Sequence, residues 1–152
     1  MAEDIPDDMP KPVTKPVSIT VYVDASHGSD LVTRRSVTGI LLCVNKTPVK
    51  WYSKRQNTVE SSTYGSELVA LRITIEMILE FRYKLRMMGI VINGPAVMFV
   101  DNKAVVKNTT LPSSTLKKKH NTIAYHKCRE AVVSNIVKVA KNLSSENKAD
   151  GH

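Results

Sequence analysis

The stretch VMFVDNKAVV, residues 97–106, runs four apolar residues into Asp101 and then opens a new, partly apolar run. An earlier stretch does the same: SITVYVDASHG, residues 18–28, is β-rich up to Val23, closes on Asp24 and passes into a small-polar loop. One acid at a strand end is ordinarily a turn residue or a helix cap. Two such strands lying parallel and side by side would instead bring both acids to one carboxyl edge, where open α/β sheets place their ligands. Asp24 and Asp101 are therefore the first candidate site residues, and the elements between them decide whether the two strands are neighbours.

After the polar connection that follows the first strand, VTGILLCVN (37–45) and VKWYS (49–53) read as two further strands joined through KTP, giving antiparallel neighbours. Next comes a long helix, about 62–88, closed by Gly89. Its core stripe runs through Leu68, Leu71, Ile75, Ile78, Leu79 and Leu85, with Arg72, Arg82 and Lys84 taken to lie off it. Four residues before Leu71 the stripe holds Glu67, where a leucine would be expected; a carboxylate there is costly unless it is paired or metal-bound. A strand at 96–101, a short helix at 102–107, a helix at 115–133, a strand at 136–140 and a helix start at SSEN (144–147) complete the order. Because parallel neighbours need helical crossovers, this order predicts an α/β fold: a five-stranded mixed sheet, three antiparallel strands and then two parallel ones, flanked by helices.

The 152 residues suffice for one domain with a real core, and 42% apolar and 24% charged residues are ordinary for a globular chain. No apolar run approaches the length of a membrane span, so no membrane partner is expected. Residues 1–16 hold four prolines and four acids against two lysines, and read as a disordered, acidic, proline-rich arm or linker with no export signal. Removing that arm's −2 from the overall +8 leaves +10 on residues 17–152, a balance that suits a polyanionic partner. Cys43 and Cys128 are too few and too far apart for a disulfide framework and are expected as buried free thiols.

Three acids gathered at one place, Asp24, Glu67 and Asp101, repel one another unless a cation is present. Hard oxygen ligands point to magnesium or manganese. Zinc at His120, His126 and Cys128 is disfavoured for want of a second paired cluster, and His126 and Glu130, four apart on a helix, are expected to pair. Trp51 and Tyr52 are expected in the core or on a sheet face.

Seven stretches in this order and at this spacing resemble the ribonuclease H domain of copia-type long-terminal-repeat retrotransposon polyproteins. They are YVDASHGSD, TRRSVTG, VKWYSKRQNTVESSTYGSELVALR, LRMMG, FVDNKAVV, KKKHNTIAYHKCRE and SENKAD, and the likeness covers about 17–150. The resemblance implies an RNase H-like fold over 17–152 and a metal-dependent endoribonuclease that hydrolyses the RNA strand of RNA–DNA hybrids during reverse transcription. It implies four catalytic, metal-holding carboxylates, Asp24, Glu67, Asp101 and Asp150, around two Mg2+ ions that Mn2+ could replace. Asp24 would bridge both ions, Glu67 and Asp101 would help to hold one, and Asp150 the other. Hydrolysis would leave a 5′ phosphate and a 3′ hydroxyl. Candidate contacts to the hybrid are Arg34, Arg35, Gln56, Asn102, Lys117, Lys118, Lys119 and His120. The implied partners are the RNA–DNA hybrid and a reverse transcriptase domain of the parent polyprotein, and the implied setting is intracellular, in the cytoplasm, a retrotransposon particle or the nucleus. The chain departs from the family pattern at Ser26, where another acid is usual, and at Lys148, where a proline is usual. It stops two residues after Asp150, so the last helix is expected to be truncated and activity impaired; the alternative is a weak or inactive remnant that binds nucleic acid or a polymerase partner.

Overall fold

The computed structural model describes residues 3–12, 14–26, 36–56, 63–100 and 119–141. Seven elements follow one another along the chain: β1 (Ile19–Ser26), β2 (Val37–Val44), β3 (Thr47–Arg55), α1 (Thr63–Met87), β4 (Ala96–Val100), α2 (Lys119–Val133) and β5 (Val137–Lys141). The strands form one sheet in the order β3-β2-β1-β4-β5. β1–β2 and β2–β3 are antiparallel, whereas β1–β4 and β4–β5 are parallel, so the mixed sheet read from the sequence is the one observed. The expected short helix at 102–107, the first residues of the expected helix at 115–133 and the helix start at 144–147 lie outside the described residues.

The core forms between α1 and one sheet face. Val21, Val23, Ile40, Leu42, Met98 and Val100 supply the sheet side, and Leu68, Leu71, Ile75, Ile78 and Leu85 supply the helix side. A second buried ridge on α1, Ser66, Ala70 and Thr74, consists of small residues four apart, and the Thr74 hydroxyl donates back to the Ala70 carbonyl at 2.7 Å. α2 joins through Ala124, Tyr125, Cys128 and Ala131, all buried. Both cysteines are free and buried, and burial pushes the Cys128 thiol up to about 12. The opposite sheet face carries a smaller apolar group of Leu41 and Cys43 with Tyr22, whose ring stacks on Phe99 at 5.4 Å. Trp51, across from Leu41, is 42% exposed there, whereas Tyr52 packs against the main core.

Backbone geometry explains the element ends. α1 stops through paired bonds from Ile90 N to Leu85 O and from Gly89 N to Arg86 O, with Gly89 at φ +75°. α2 repeats the pattern with Asn135 at φ +59°, Ile136 N bonding Ala131 O and Asn135 N bonding Val132 O. Each helix thus satisfies its last carbonyls with a left-handed residue and folds an apolar one back. The β2–β3 turn is not at KTP as the sequence suggested. It is the two-residue loop Asn45–Lys46, both at positive φ, because that mirror-image turn matches the twist of paired strands. Its left-handed lysine is the unfavourable part. Near Pro48 the register slips between Leu42 and Cys43, so Val49 is an extra residue on the edge strand.

One further expectation is corrected along α1. Arg82 is not off the stripe: it follows Ile78 by four and precedes Leu85 by three, and it is 5% exposed. Part of the N-terminal arm lies against this stretch of the helix, with no helix or strand among its described residues before Val17. Glu3 takes a two-pronged bond from Arg82, Nε to Oε2 at 2.6 Å and Nη2 to Oε1 at 3.2 Å, and Arg86 Nη1 lies 2.8 Å from the same Oε2. The arm is held because a buried arginine needs a counter-charge, a requirement that the composition of residues 1–16 does not reveal. Burial opposes ionisation of Glu3, but the hydrogen bonds and charges of Arg82 and Arg86 together outweigh it and hold the carboxyl below its usual range.

Replacing Lys46 by glycine should relieve the left-handed turn and raise unfolding free energy by up to about 1 kcal/mol in urea titrations; a loss of stability would show that the lysine is not strained. A carboxyl with a depressed folded-state pKa stabilises above its unfolded value, about 4.3 for glutamate, and stops doing so as pH falls through the folded one. The stability gap between the wild type and Glu3→Gln should therefore be constant near neutrality and close below pH about 4. A gap that widened on acidification would contradict the ion pair.

Candidate active-site edge

The register at the centre of the sheet sets the site. Across the parallel pair β1–β4, Thr20 faces Val97 and the ladder ends with Val23 level with Val100. In the sequence these two valines immediately precede Asp24 and Asp101. Asp24 is not the end of β1 in every sense: on its other side the strand continues against β2, with Asp24 opposite Gly39 and Ser26 opposite Val37. It marks the carboxyl edge only where β1 meets β4. Asp101 itself lies outside the described residues.

Glu67 comes from the second turn of α1, the helix that covers β1 and β2, and it is half-buried beside Leu68. A buried polar network fixes that turn. Ser66 Oγ and Ser36 Oγ are 2.7 Å apart, and Gln56 Nε2 donates to Thr38 Oγ1 at 2.9 Å and to the Ser66 carbonyl at 2.8 Å. The Gln56 backbone N–H closes on the Ser36 carbonyl at 2.7 Å. The start of β2, the end of β3 and the first turn of α1 are thereby tied together next to Gly39, the partner of Asp24. Such side chains lock a helix end that propensity alone would leave fraying.

Gln56, expected at a sugar or base edge, therefore occupies a different place: it is 2% exposed and spends both amide hydrogens inside the protein. Its length and two donors suit a strand-to-helix clamp as well as a base contact, so its residue type did not decide between them. Ser36, Thr38 and Ser66 were missed by the sequence reading. The signal was present, since Ser36 and Thr38 share the inward parity of Ile40 and Leu42, but Ser36 fell just outside the strand read at 37–45 and the hydroxyl of Thr38 within it was given no role.

The remaining expected residues divide simply. Lys119 and His120 open α2. Arg34, Arg35, Asn102, Lys117, Lys118 and Asp150 fall outside the described residues. Among the described residues no three acidic, histidine or cysteine side chains come together as a metal-holding group. His126 and Glu130 line one open groove on α2, where His126 meets the Tyr125 ring edge-on instead of bonding Glu130. No described helix is long and apolar enough to cross a membrane.

The fold defined by this sheet order and helix packing is that of ribonuclease H. LC11-RNase H1, isolated from compost by a metagenomic approach, superposes with a TM-score of 0.64 at 15% identity over 88% of this chain and 90% of its own. The same protein in complex with an RNA/DNA hybrid gives 0.63 at 12% identity, over 86% and 89%. The foamy viral protease-reverse transcriptase, also in complex with RNA/DNA hybrid, gives 0.54 at 14% identity over 96% of this chain and 20% of that one.

In sequence the chain is homologous to retrovirus-related Pol polyproteins of plant transposons. It is 29% identical over 129 residues to that of transposon TNT 1-94 from Nicotiana tabacum, covering 85% of this chain, and 25% identical over 134 residues to that of RE2 from Arabidopsis thaliana, covering 88%. The chain spans about a tenth of the length of these curated relatives. No family model matches. Fold and homology together are consistent with a retrotransposon ribonuclease H domain.

If Gln56 is a clamp and not a substrate contact, Gln56→Leu should cost about 1–3 kcal/mol of stability, the penalty for leaving buried partners unsatisfied. Hybrid affinity of the folded fraction should be unchanged. Weakened binding at unaltered stability, measured by urea titration beside fluorescence anisotropy, would return Gln56 to the substrate surface.

Proposed function

We propose that this chain is a metal-dependent endoribonuclease that hydrolyses the RNA strand of RNA–DNA hybrids, acting within a retrotransposon polyprotein alongside a reverse transcriptase domain. The observation that carries the reading is the β1–β4 register, which levels Val23 with Val100, each followed in the chain by an acid, at the end of β1 where the Ser36–Ser66 contact ties down the residue before Glu67. Two of the comparison structures are complexes with RNA/DNA hybrid, and the sequence relatives are Pol polyproteins, which supports both substrate and setting.

The donor chemistry fits a hard divalent cation. Asp24 and Glu67 offer oxygen ligands only, the donor type that suits a hard cation. In this reading Asp24, Glu67, Asp101 and Asp150 would together hold two Mg2+ or Mn2+ ions. Ions so held would supply a sharpened water nucleophile and charge stabilisation for the leaving 3′ oxygen. The protein's part is to hold these carboxylates against their mutual repulsion, and the Ser36–Gln56–Ser66 network does this for the turn carrying Glu67. Arg34, Arg35, Lys117, Lys118, Lys119 and His120 would grip phosphates, and Asn102 a sugar or base edge; contacts to 2′-hydroxyls would select the RNA strand.

The test is cleavage of an end-labelled RNA–DNA hybrid in magnesium and in manganese, with Asp24→Asn and Asp101→Asn as controls. The expected result is cutting of the RNA strand alone, leaving 5′ phosphate and 3′ hydroxyl. Each control should lose more than the roughly 10–100-fold typical of disturbing a metal's outer partners. Hybrid binding without cutting in either metal would overturn the nuclease reading and leave a binding domain.

A further inference from the structure

The least expected chemistry in the molecule lies far from the acids, where α1 turns a guanidinium into the core stripe. From Glu67 to Arg82 is fifteen residues of α1, or about 22 Å at the helical rise. Arg82 uses every donor group there: Nε and Nη2 on the two oxygens of Glu3, and Nη1 on the Gly94 carbonyl at 3.0 Å. Arg86 adds a second cation on Glu3 Oε2, and the side chains of Arg82, Glu3 and Arg86 keep only 6%, 13% and 15% of their surface exposed. A second anchor lies one turn further on. The Lys11 carbonyl passes so close to Gly89 that a Cβ on that residue would sit 2.7 Å from it, with Pro10 at 3.5 Å. The chain then enters the sheet layer at Val17, which exchanges bonds with Val91 and Asn93. Prolines at 6, 10, 12 and 16 stiffen the span between the anchors and reduce the entropy lost on docking.

We propose that Arg82 and Arg86 form a built receptor for a carboxylate, filled by the chain's own Glu3, and that this clamp fixes the point at which any upstream sequence leaves the domain. The partner it fits is an acidic, proline-stiffened segment joined in cis. Bidentate arginine geometry selects a planar carboxylate over a point charge, so the receptor specifies the register of the arm as well as its sign. In the polyprotein setting, on which this last consequence rests, a preceding domain is held at the C-terminal end of α1, the end remote from Glu67. The clamp itself does not depend on nuclease activity, and its test does not read it.

Backbone 15N heteronuclear NOE values of the full chain provide that test. In the wild type the amides of Asp4, Ile5, Asp7 and Asp8, all ahead of the anchor at Gly89, should match those of α1. In Glu3→Gln they should fall to the values of a free tail while α1 stays unchanged. Arg82→Met keeps the stripe apolar and filled, and so guards against a variant that fails for lack of a folded core; it should free the arm equally. Arm amides already tail-like in the wild type, or rigid in both variants, would overturn the clamp.

Discussion

Parallel pairing of β1 with β4 is the constraint on which the rest of the molecule depends. Two parallel strands cannot be joined by a tight turn, so the chain between them must leave the sheet and return across its face. It first spends two antiparallel strands and then crosses back through α1. That path has two results at once. The crossover buries the Leu68–Leu71–Ile75–Ile78 stripe on the sheet, which is the core. It also starts the helix near the carboxyl edge of β1, which is why an acid in the second turn of α1 belongs to the same end of the sheet as Asp24. Core and candidate site are thus products of one connection.

Most of the polar groups buried at the two ends of α1 have partners built in, although among the described residues Gln56 Oε1 accepts and Arg86 Nη1 donates no hydrogen bond. At its start the hydroxyls of Ser36, Thr38 and Ser66 with the amide of Gln56 make a neutral network, which binds three elements through short local bonds. At its far end a charge is buried instead, and its partner comes from residue 3, 79 positions away. The neutral network suits a region that must hold a geometry. The charged one suits an attachment, because an ion pair broken by removing one partner leaves a costly unmatched charge.

Much of this fold was legible in the sequence, for physical reasons. A 25-residue helix with a largely apolar stripe and a closing glycine leaves little choice of boundaries, and a strand of alternating burial such as β4 leaves little choice of face. The readings that failed share one cause: a residue was judged by type where its partner decided. Arg82 was set off the stripe for being charged, although spacing put it on. The turn was placed at KTP because Asn45–Lys46 lacks the glycine that usually marks a two-residue loop. At the candidate site, Asp24 and Glu67 lie in described elements on the expected end of the sheet, while Asp101 and Asp150 fall outside the described residues and their positions rest on sequence alone.

The slipped register of β3 also governs what the sheet does toward other molecules. An edge strand offers unpaired backbone groups to any passing strand, including the same strand of another copy. Here Pro48 offers no N–H, Val49 breaks the spacing of the ladder, and Lys50, Lys54 and Arg55 stand exposed along it. Two such edges brought together would meet with mismatched hydrogen bonds and like charges. Growth of the sheet beyond five strands is thereby opposed on this side, and a second copy of the domain meets an edge that cannot extend its ladder.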